Sequence, residues 1–181
     1  QGFTHYNEFR SNYYSTLTSN ATLFSMKHHY YQNTYPGNLK TYRSQDVIVG
    51  QNAVLDIFKN NGYKSHLLTD NSFFLTNRRL KGFDFCNIDQ ADVLFYDTGG
   101  IYGTDIVADF EEVLKTNDSQ KNFFFIEKTI PSHIMYTDAR SEGPALERVR
   151  YLERLEVAHE WLTELIDLIR TYDDNPLIII A

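Results

Sequence analysis

Only one cysteine, Cys86, stands among the 181 residues, so no internal disulfide can form. That count fits a secreted or a cytosolic home equally. The expected role of Cys86 is that of a small buried apolar side chain, not a nucleophile. Long apolar runs are missing as well. The longest, Phe123-Phe124-Phe125-Ile126 and Leu177 to Ala181, fall far short of the roughly 20 residues a membrane helix needs. Positive charge is in deficit, with 17 Lys and Arg against 24 Asp and Glu, a formal charge of −7. A nucleic-acid backbone is therefore not an expected partner. The chain opens Gln-Gly-Phe-Thr-His without a signal-peptide pattern. A start without Met, and an end on an apolar stretch that would leave a strand edge bare, set the expectation of cut ends. Several chemical signatures are absent too: Gly-x-Gly-x-x-Gly, a Walker loop, Cys-x-x-Cys, His-Glu-x-x-His and Gly-x-Ser-x-Gly.

What is present is a globular composition, 42% hydrophobic, with 13 Tyr and 13 Phe. Leu17, Ala21 and Phe24 recur at helical spacing and predict a short helix over Thr16 to Met26. A loop follows around Tyr35-Pro36-Gly37-Asn38. Val54, Leu55 and Phe58 predict a helix over Gln51 to Asn61, stopped by Gly62. Tyr63 to Thr69 reads as a strand, and Asp70 to Asp89 as a polar loop with Arg78, Arg79 and Lys81. Asp92 to Tyr96 reads as a strand ending in Thr98-Gly99-Gly100. Thr104 to Lys115 reads as a helix capped by Thr104, and Asn122 to Lys128 as a strand apolar on both faces. Pro144 suits the first turn of a long helix. In that helix Tyr151, Leu155, Ala158, Leu162, Leu165 and Ile169 would form one buried stripe. Asn175-Pro176 ends it, and Leu177 to Ala181 reads as a last strand. This order predicts an α/β fold, an open mostly parallel sheet with helices on both faces, in one domain spanning 1–181.

Three polar groups are candidates for chemistry. Ser15-Thr16-Leu17-Thr18-Ser19 lies at a predicted helix start, where backbone N–H groups favour an anion such as phosphate or sulfate. The same hydroxyls would serve equally as plain helix caps. His133 follows the strand Phe123 to Lys128, at the end of the sheet where open α/β folds bind ligands. A lone loop histidine is also commonly idle. Lys27-His28-His29 looks like a metal pair, but adjacent helical side chains point about 100° apart and do not readily share an ion. Gly99-Gly100 with Gly103 lacks the dinucleotide spacing and reads as a turn.

In order and spacing these segments resemble the alkaline-phosphatase/sulfatase superfamily, nearest its phosphoethanolamine-transferase and lipoteichoic-acid-synthase branches. Thr16-Leu17-Thr18-Ser19-Asn20-Ala21-Thr22-Leu23-Phe24-Ser25 is similar to the family's nucleophile stretch, which starts on Thr and ends Phe-Ser. Leu55 to Gly62-Tyr63 followed by Thr69-Asp70-Asn71-Ser72 is similar to its next landmark. The strand Phe123 to Lys128 leads to His133 as the family strand leads to its substrate-binding histidine, although Ile134-Met135-Tyr136 departs from the family's proline. The long helix and Leu177 to Ile180 resemble the elements that precede the family's Asp-His-Gly. The formylglycine signature is not met, since Thr18 and Asn20 hold its Pro and Arg positions.

The resemblance implies Thr16 as nucleophile and metal ligand, with Ser19 and His133 as substrate-binding residues. Thr18 stays an alternative nucleophile, at the loss of the Ser three residues on and of the spacing to Phe-Ser. It implies a divalent metal, zinc or manganese, that stabilises the Thr16 alkoxide. A phosphorylated or sulfated lipid or glycan would be the substrate, and the setting periplasmic or extracytoplasmic, with a membrane-anchored parent. Such a metal takes about four ligands, and only Thr16 of the family set lies in this chain. The expectation is thus a fragment that binds metal weakly and does not turn over alone. The other reading is a non-catalytic binding or assembly domain that kept the fold and lost the metal site.

Overall fold

The computed structural model describes residues 2–28, 40–76, 80–93, 103–132 and 142–181. The chain begins in irregular backbone and enters helix α1 (Thr16–Ser25). Met26 closes α1 in a left-handed conformation at φ 53°, with its N–H on the Leu23 carbonyl and that of Lys27 on Thr22. This is the usual way to satisfy a helix's last carbonyls, here without the customary glycine.

Helices α2 (Lys40–Val49) and α3 (Ala53–Asn60) follow. One buried side chain joins them. Asn52 Oδ1 accepts from the Leu55 N–H at 3.0 Å, capping α3, while its Nδ2 donates to the Val47, Ile48 and Gly50 carbonyls at the end of α2. Donor and acceptor of one amide thus serve two helix ends, which is why Asn suits this position. Gly62, at φ 78°, turns the chain out of α3 into strand β1 (Lys64–Thr69).

A polar connection leads to the two-residue strand β2 (Phe85–Cys86), then to the short 3-10 turn Gln90–Asp92. Gly82 on the way to β2 sits against α2. A Cβ there would lie 1.9 Å from the Gly50 carbonyl oxygen, so only glycine fits. Helix α4 (Ile106–Thr116), strand β3 (Asn122–Glu127) and the 29-residue helix α5 (Pro144–Tyr172) complete the regular structure.

Among the described residues the strands form one sheet in the order β2-β1-β3, parallel throughout. The β1–β3 register runs from Lys64↔Asn122 to Thr69↔Glu127. Side chains alternate across the sheet. On one face Phe123 and Phe125 meet α1 and α3: Phe24 sets its ring edge against Phe125 at 4.9 Å, and Phe58 stacks on Phe123 at 4.0 Å. On the other, Phe124 and Ile126 join Leu68, Ile106, Phe110 and Leu165 under α4 and α5. Helices cover both faces, as the reading of an open parallel sheet expects.

Several local expectations need correction. Helix α2 is additional to the sequence reading, its mean composition being too polar to announce a helix. The loop over 70–89 contains β2, which gains its place from pairing with β1 through His66 and Leu67. Asp92 belongs to a 3-10 turn, and the rest of the expected strand to Tyr96, with Gly99-Gly100, lies outside the described residues. The loop around Tyr35 lies outside them as well. Asp105, not Thr104, caps α4: its carboxylate accepts from the Val107 and Ala108 N–H groups. The Thr104 hydroxyl instead donates to the Thr69 carbonyl at 3.2 Å. Of the α5 stripe only Leu165 is buried and Ile169 packs against its cluster; Tyr151, Leu155, Ala158 and Leu162 are half-buried. Leu177 to Ala181 is not a strand. It has no pairing partner among the described residues, and Leu177 and Ile179 are 91% and 81% exposed.

Among the described residues one histidine is buried. His66 is buried, its ring stacked 4.6 Å from Phe124. Nε2 lies 3.1 Å from Asn122 Oδ1, an acceptor, and 3.4 Å from Asn117 Nδ2, a donor, and the tautomer decides which of the two it engages; the other ring nitrogen, Nδ1, is buried without a partner. Burial, the largest influence, pulls its pKa below the ordinary 6.5 against the opposing pull of Asn122 and Asp84. The folded state therefore resists protonation that the unfolded chain accepts. Full stability holds above 6.5 and declines as pH falls below it. In urea titrations from pH 7 to 5, His66→Phe is expected to lose less stability than the wild type; equal losses would contradict this role.

Candidate functional site

Two places gather polar side chains. The first is the start of α1. Ser15, in extended backbone at φ −104° and ψ 133°, stands at the N-cap, yet its side chain makes no capping hydrogen bond. The first intrahelical bond runs from the Ser19 N–H to the Ser15 carbonyl at 2.9 Å, so the amides of Leu17 and Thr18 precede the helical ladder. Helix N-terminal amides of this kind attract anions.

The hydroxyls around them divide clearly. Thr18 donates to the Ser15 carbonyl at 3.1 Å, and Thr22 to the Thr18 carbonyl at 2.8 Å. Ser19 Oγ sits 2.7 Å from the Tyr13 carbonyl and 2.6 Å from Ser11 Oγ, while Ser11 Oγ lies 2.9 Å from that same carbonyl. Two hydroxyl protons serve these three contacts, tying residues 11–13 to the helix. Thr16 differs: it is exposed, and its hydroxyl makes no hydrogen bond among the described residues. Thr16 and Thr18, the alternatives that the sequence leaves open, thus differ in that the Thr18 hydroxyl is hydrogen-bonded to the Ser15 carbonyl.

The second place is the carboxyl end of β1 and β3, where open parallel sheets bind ligands. Asp70 is buried. Its Oδ2 pairs with Lys128 Nζ at 3.0 Å, and its Oδ1 accepts from the Thr129 hydroxyl at 2.6 Å and the Thr129 N–H at 3.1 Å. Lys128 Nζ also lies 5.7 Å from the centre of the Trp161 ring on α5. One carboxylate thus fastens the exit of β1 to the exit of β3. Beside it, Glu127 is half-buried, with Oε2 3.4 Å from Thr69 Oγ1. Burial, then the charge of Asp70, pushes its carboxyl up to about 7.

Asn87 closes the other side of β1. It accepts from the Thr69 N–H at 2.9 Å, donates to the Thr69 carbonyl at 3.0 Å, and donates to Asp109 on α4 at 2.7 Å. Cys86 next to it is half-buried, and burial pushes its thiol up to about 11, which disfavours the thiolate at neutral pH.

Of the residues singled out from the sequence, Thr16 and Ser19 share the first turns of α1, with Ser19 engaged by the protein itself. His133 lies outside the described residues, as does His29 of the histidine pair. Asp70, Glu127, Lys128 and Thr129 were not read as a site. The signal for them was an acid–base pair, Glu127-Lys128, at the end of four consecutive apolar residues, and it was absorbed into the strand.

The sulfatase family model matches residues 5–180, nearly the whole chain. The chain belongs to the sulfatase family. No curated protein and no solved structure matches it. Family membership brings a sulfatase-like hydrolase or transferase fold, and the three-stranded parallel sheet with helices on both faces is consistent with it. Sulfatases generally use a divalent metal. Among the described residues, no three His, Cys, Asp or Glu side chains come together. Asp70, the most buried carboxylate at the sheet end, is already taken by Lys128 and Thr129. Thr16 offers one hydroxyl with no acidic partner. The described residues therefore do not by themselves make up a metal site.

The Asp70 clasp yields a prediction. Removing one member of a buried ion pair costs about 3–5 kcal/mol, because the other charge is stranded. Asp70→Ala is expected to lower stability by that order in urea denaturation, and Lys128→Met in the same chain to restore part of it. Full additivity of the two losses would show that the pair is not coupled.

Proposed function

We propose that this chain carries the nucleophile-bearing segment of a phosphate- or sulfate-ester hydrolase or transferase, with Thr16 as the nucleophile. The observation that carries the reading is the state of the five hydroxyls of α1. Thr18, Ser19, Thr22 and Ser25 are spent on backbone carbonyls, while Thr16 is exposed and unengaged beside uncapped helix amides.

On this reading the ester's anionic group sits against the amides of Leu17 and Thr18, which draw charge from its oxygens as it develops. Thr16 Oγ1 gives up its proton to solvent and forms a bond to phosphorus or sulfur as the bond to the ester oxygen breaks, and the departing alkoxide takes a proton from solvent in return. Water or an acceptor hydroxyl then takes the group from Thr16, regenerating its hydroxyl. Ser19 acts through Tyr13 and Ser11, holding the segment before the helix against it. The Thr in the nucleophile position, and the failure of the formylglycine signature, favour the phospho-transfer branches, phosphoethanolamine transferase and lipoteichoic-acid synthase. A phosphorylated lipid or glycan outside the cytoplasm is then the substrate. The described helices include none long and apolar enough to cross a membrane.

The reading places the remaining metal ligands outside the 181 residues. The isolated chain is expected to show no turnover of bis(p-nitrophenyl) phosphate or p-nitrophenyl sulfate with Zn2+ or Mn2+ added. In a longer protein that includes it, Thr16→Ala is expected to lower turnover by roughly 10³-fold or more, against less than about tenfold for Thr18→Ala. Mass spectrometry of the quenched reaction would find the phosphoryl or sulfuryl group on Thr16. A group carried elsewhere, or activity that survives Thr16→Ala, would overturn the assignment.

A further inference from the structure

We propose that Glu127, Thr69 and Asn71 form a proton-operated latch, in which the protonation of the Glu127 carboxyl decides whether the Thr69 hydroxyl closes the turn that leaves β1. The inference is independent of Thr16 and rests on counting protons in one small network.

Thr69 Oγ1 has three neighbours. It lies 3.0 Å from the Asn71 carbonyl, it accepts from the Asn71 N–H at 3.1 Å, and it is 3.4 Å from Glu127 Oε2. A hydroxyl owns one proton and two acceptor sites. With Glu127 protonated, every contact is satisfied: Thr69 donates to the Asn71 carbonyl and accepts from both the Asn71 N–H and the Glu127 O–H. With Glu127 ionised, its oxygens can only accept. The single Thr69 proton must then serve either the carboxylate or the Asn71 carbonyl. A charged acceptor forms the stronger bond, so the proton turns to Glu127 and the Asn71 carbonyl loses its donor. The proton released from Glu127 goes to solvent.

The setting makes this switch usable. Among the described residues, the charged groups packed around it are Asp70 and Lys128, paired with each other, and Asp109 of α4, which reaches Thr69 through Asn87. From α5 comes the uncharged Trp161 ring, set over Lys128, and from α2 the uncharged Gln45 amide. Lys128 is committed to Asp70, and no ion pair to Glu127 is formed among the described residues. Burial and the Asp70 charge hold the Glu127 carboxyl near neutrality, so both forms are populated at ordinary pH. The turn under control is not isolated. Asn71 Oδ1 receives the Phe73 N–H at 2.6 Å, Gln45 donates to the Phe73 carbonyl, and the next side chain, Phe74, is fully buried with its ring 6.2 Å from that of Phe125. Loosening it would slacken the link from the sheet end to α2.

The test is an NMR titration of the full chain from pH 5 to 9, following the Asn71 and Phe73 amides and the Glu127 carboxyl carbon. In the wild type both amides are expected to shift with a midpoint of about 7, and in Glu127→Gln that step is expected to vanish. In Thr69→Val the carboxyl should still titrate while Asn71 no longer follows it, and Thr69→Ser, which keeps the hydroxyl, should restore the coupling. An Asn71 amide that ignores pH in the wild type, or that titrates with the same midpoint in Glu127→Gln, would overturn the latch.

Discussion

Everything in this chain hangs on the parallel pairing of β1 with β3. Six residues of each strand are in register, from Lys64↔Asn122 to Thr69↔Glu127, and the two faces of that ladder define the two cores. Parallel strands must be buried on both sides, since their crossover connections lay helices on each face. The four apolar residues of β3 meet that demand by alternation, Phe123 and Phe125 toward α1 and α3, Phe124 and Ile126 toward α4 and α5. Helix α1, with its exposed Thr16, is held in place by Phe24 against Phe125. The nucleophile assignment thus depends on the same strand that ends in the Asp70 clasp.

The clasp answers a problem that the ladder creates. Where two parallel strands end together, their last polar groups leave the sheet at the same level. Asp70 takes up the Thr129 N–H and hydroxyl and the Lys128 ammonium at once. Burial at the same strand end, and then the Asp70 charge, push the Glu127 carboxyl up to about 7. A structural fastening and a proton-sensitive group therefore arise from one arrangement.

Much of the architecture was legible in the sequence, and the reasons are physical. Leu17, Ala21 and Phe24 bury together because three- and four-residue steps fall on one helix face. Gly62 marks the end of α3, and the doubly apolar β3 announces a parallel sheet. Helix α2 was not legible, because it gains its stability from packing on α1 and from Asn52, not from its own polar sequence. Leu177 to Ala181 misled, since apolar and β-branched residues state a preference that only a neighbouring strand can fulfil. In the candidate site, the start of α1 at Thr16 was legible from the helical spacing that follows it. The Asp70 clasp was not, because Asp70 and Thr129 meet only through the register of strands 59 residues apart.

The most direct test of this account is native-state hydrogen exchange across a series of urea concentrations. The amides of β1, paired on both sides, are predicted to exchange last, with Leu67 and Leu68 opening only at the free energy and urea dependence of global unfolding. If they exchange at a distinctly lower free energy while α1 and α5 stay protected, the β1–β3 ladder is not the element on which the rest depends.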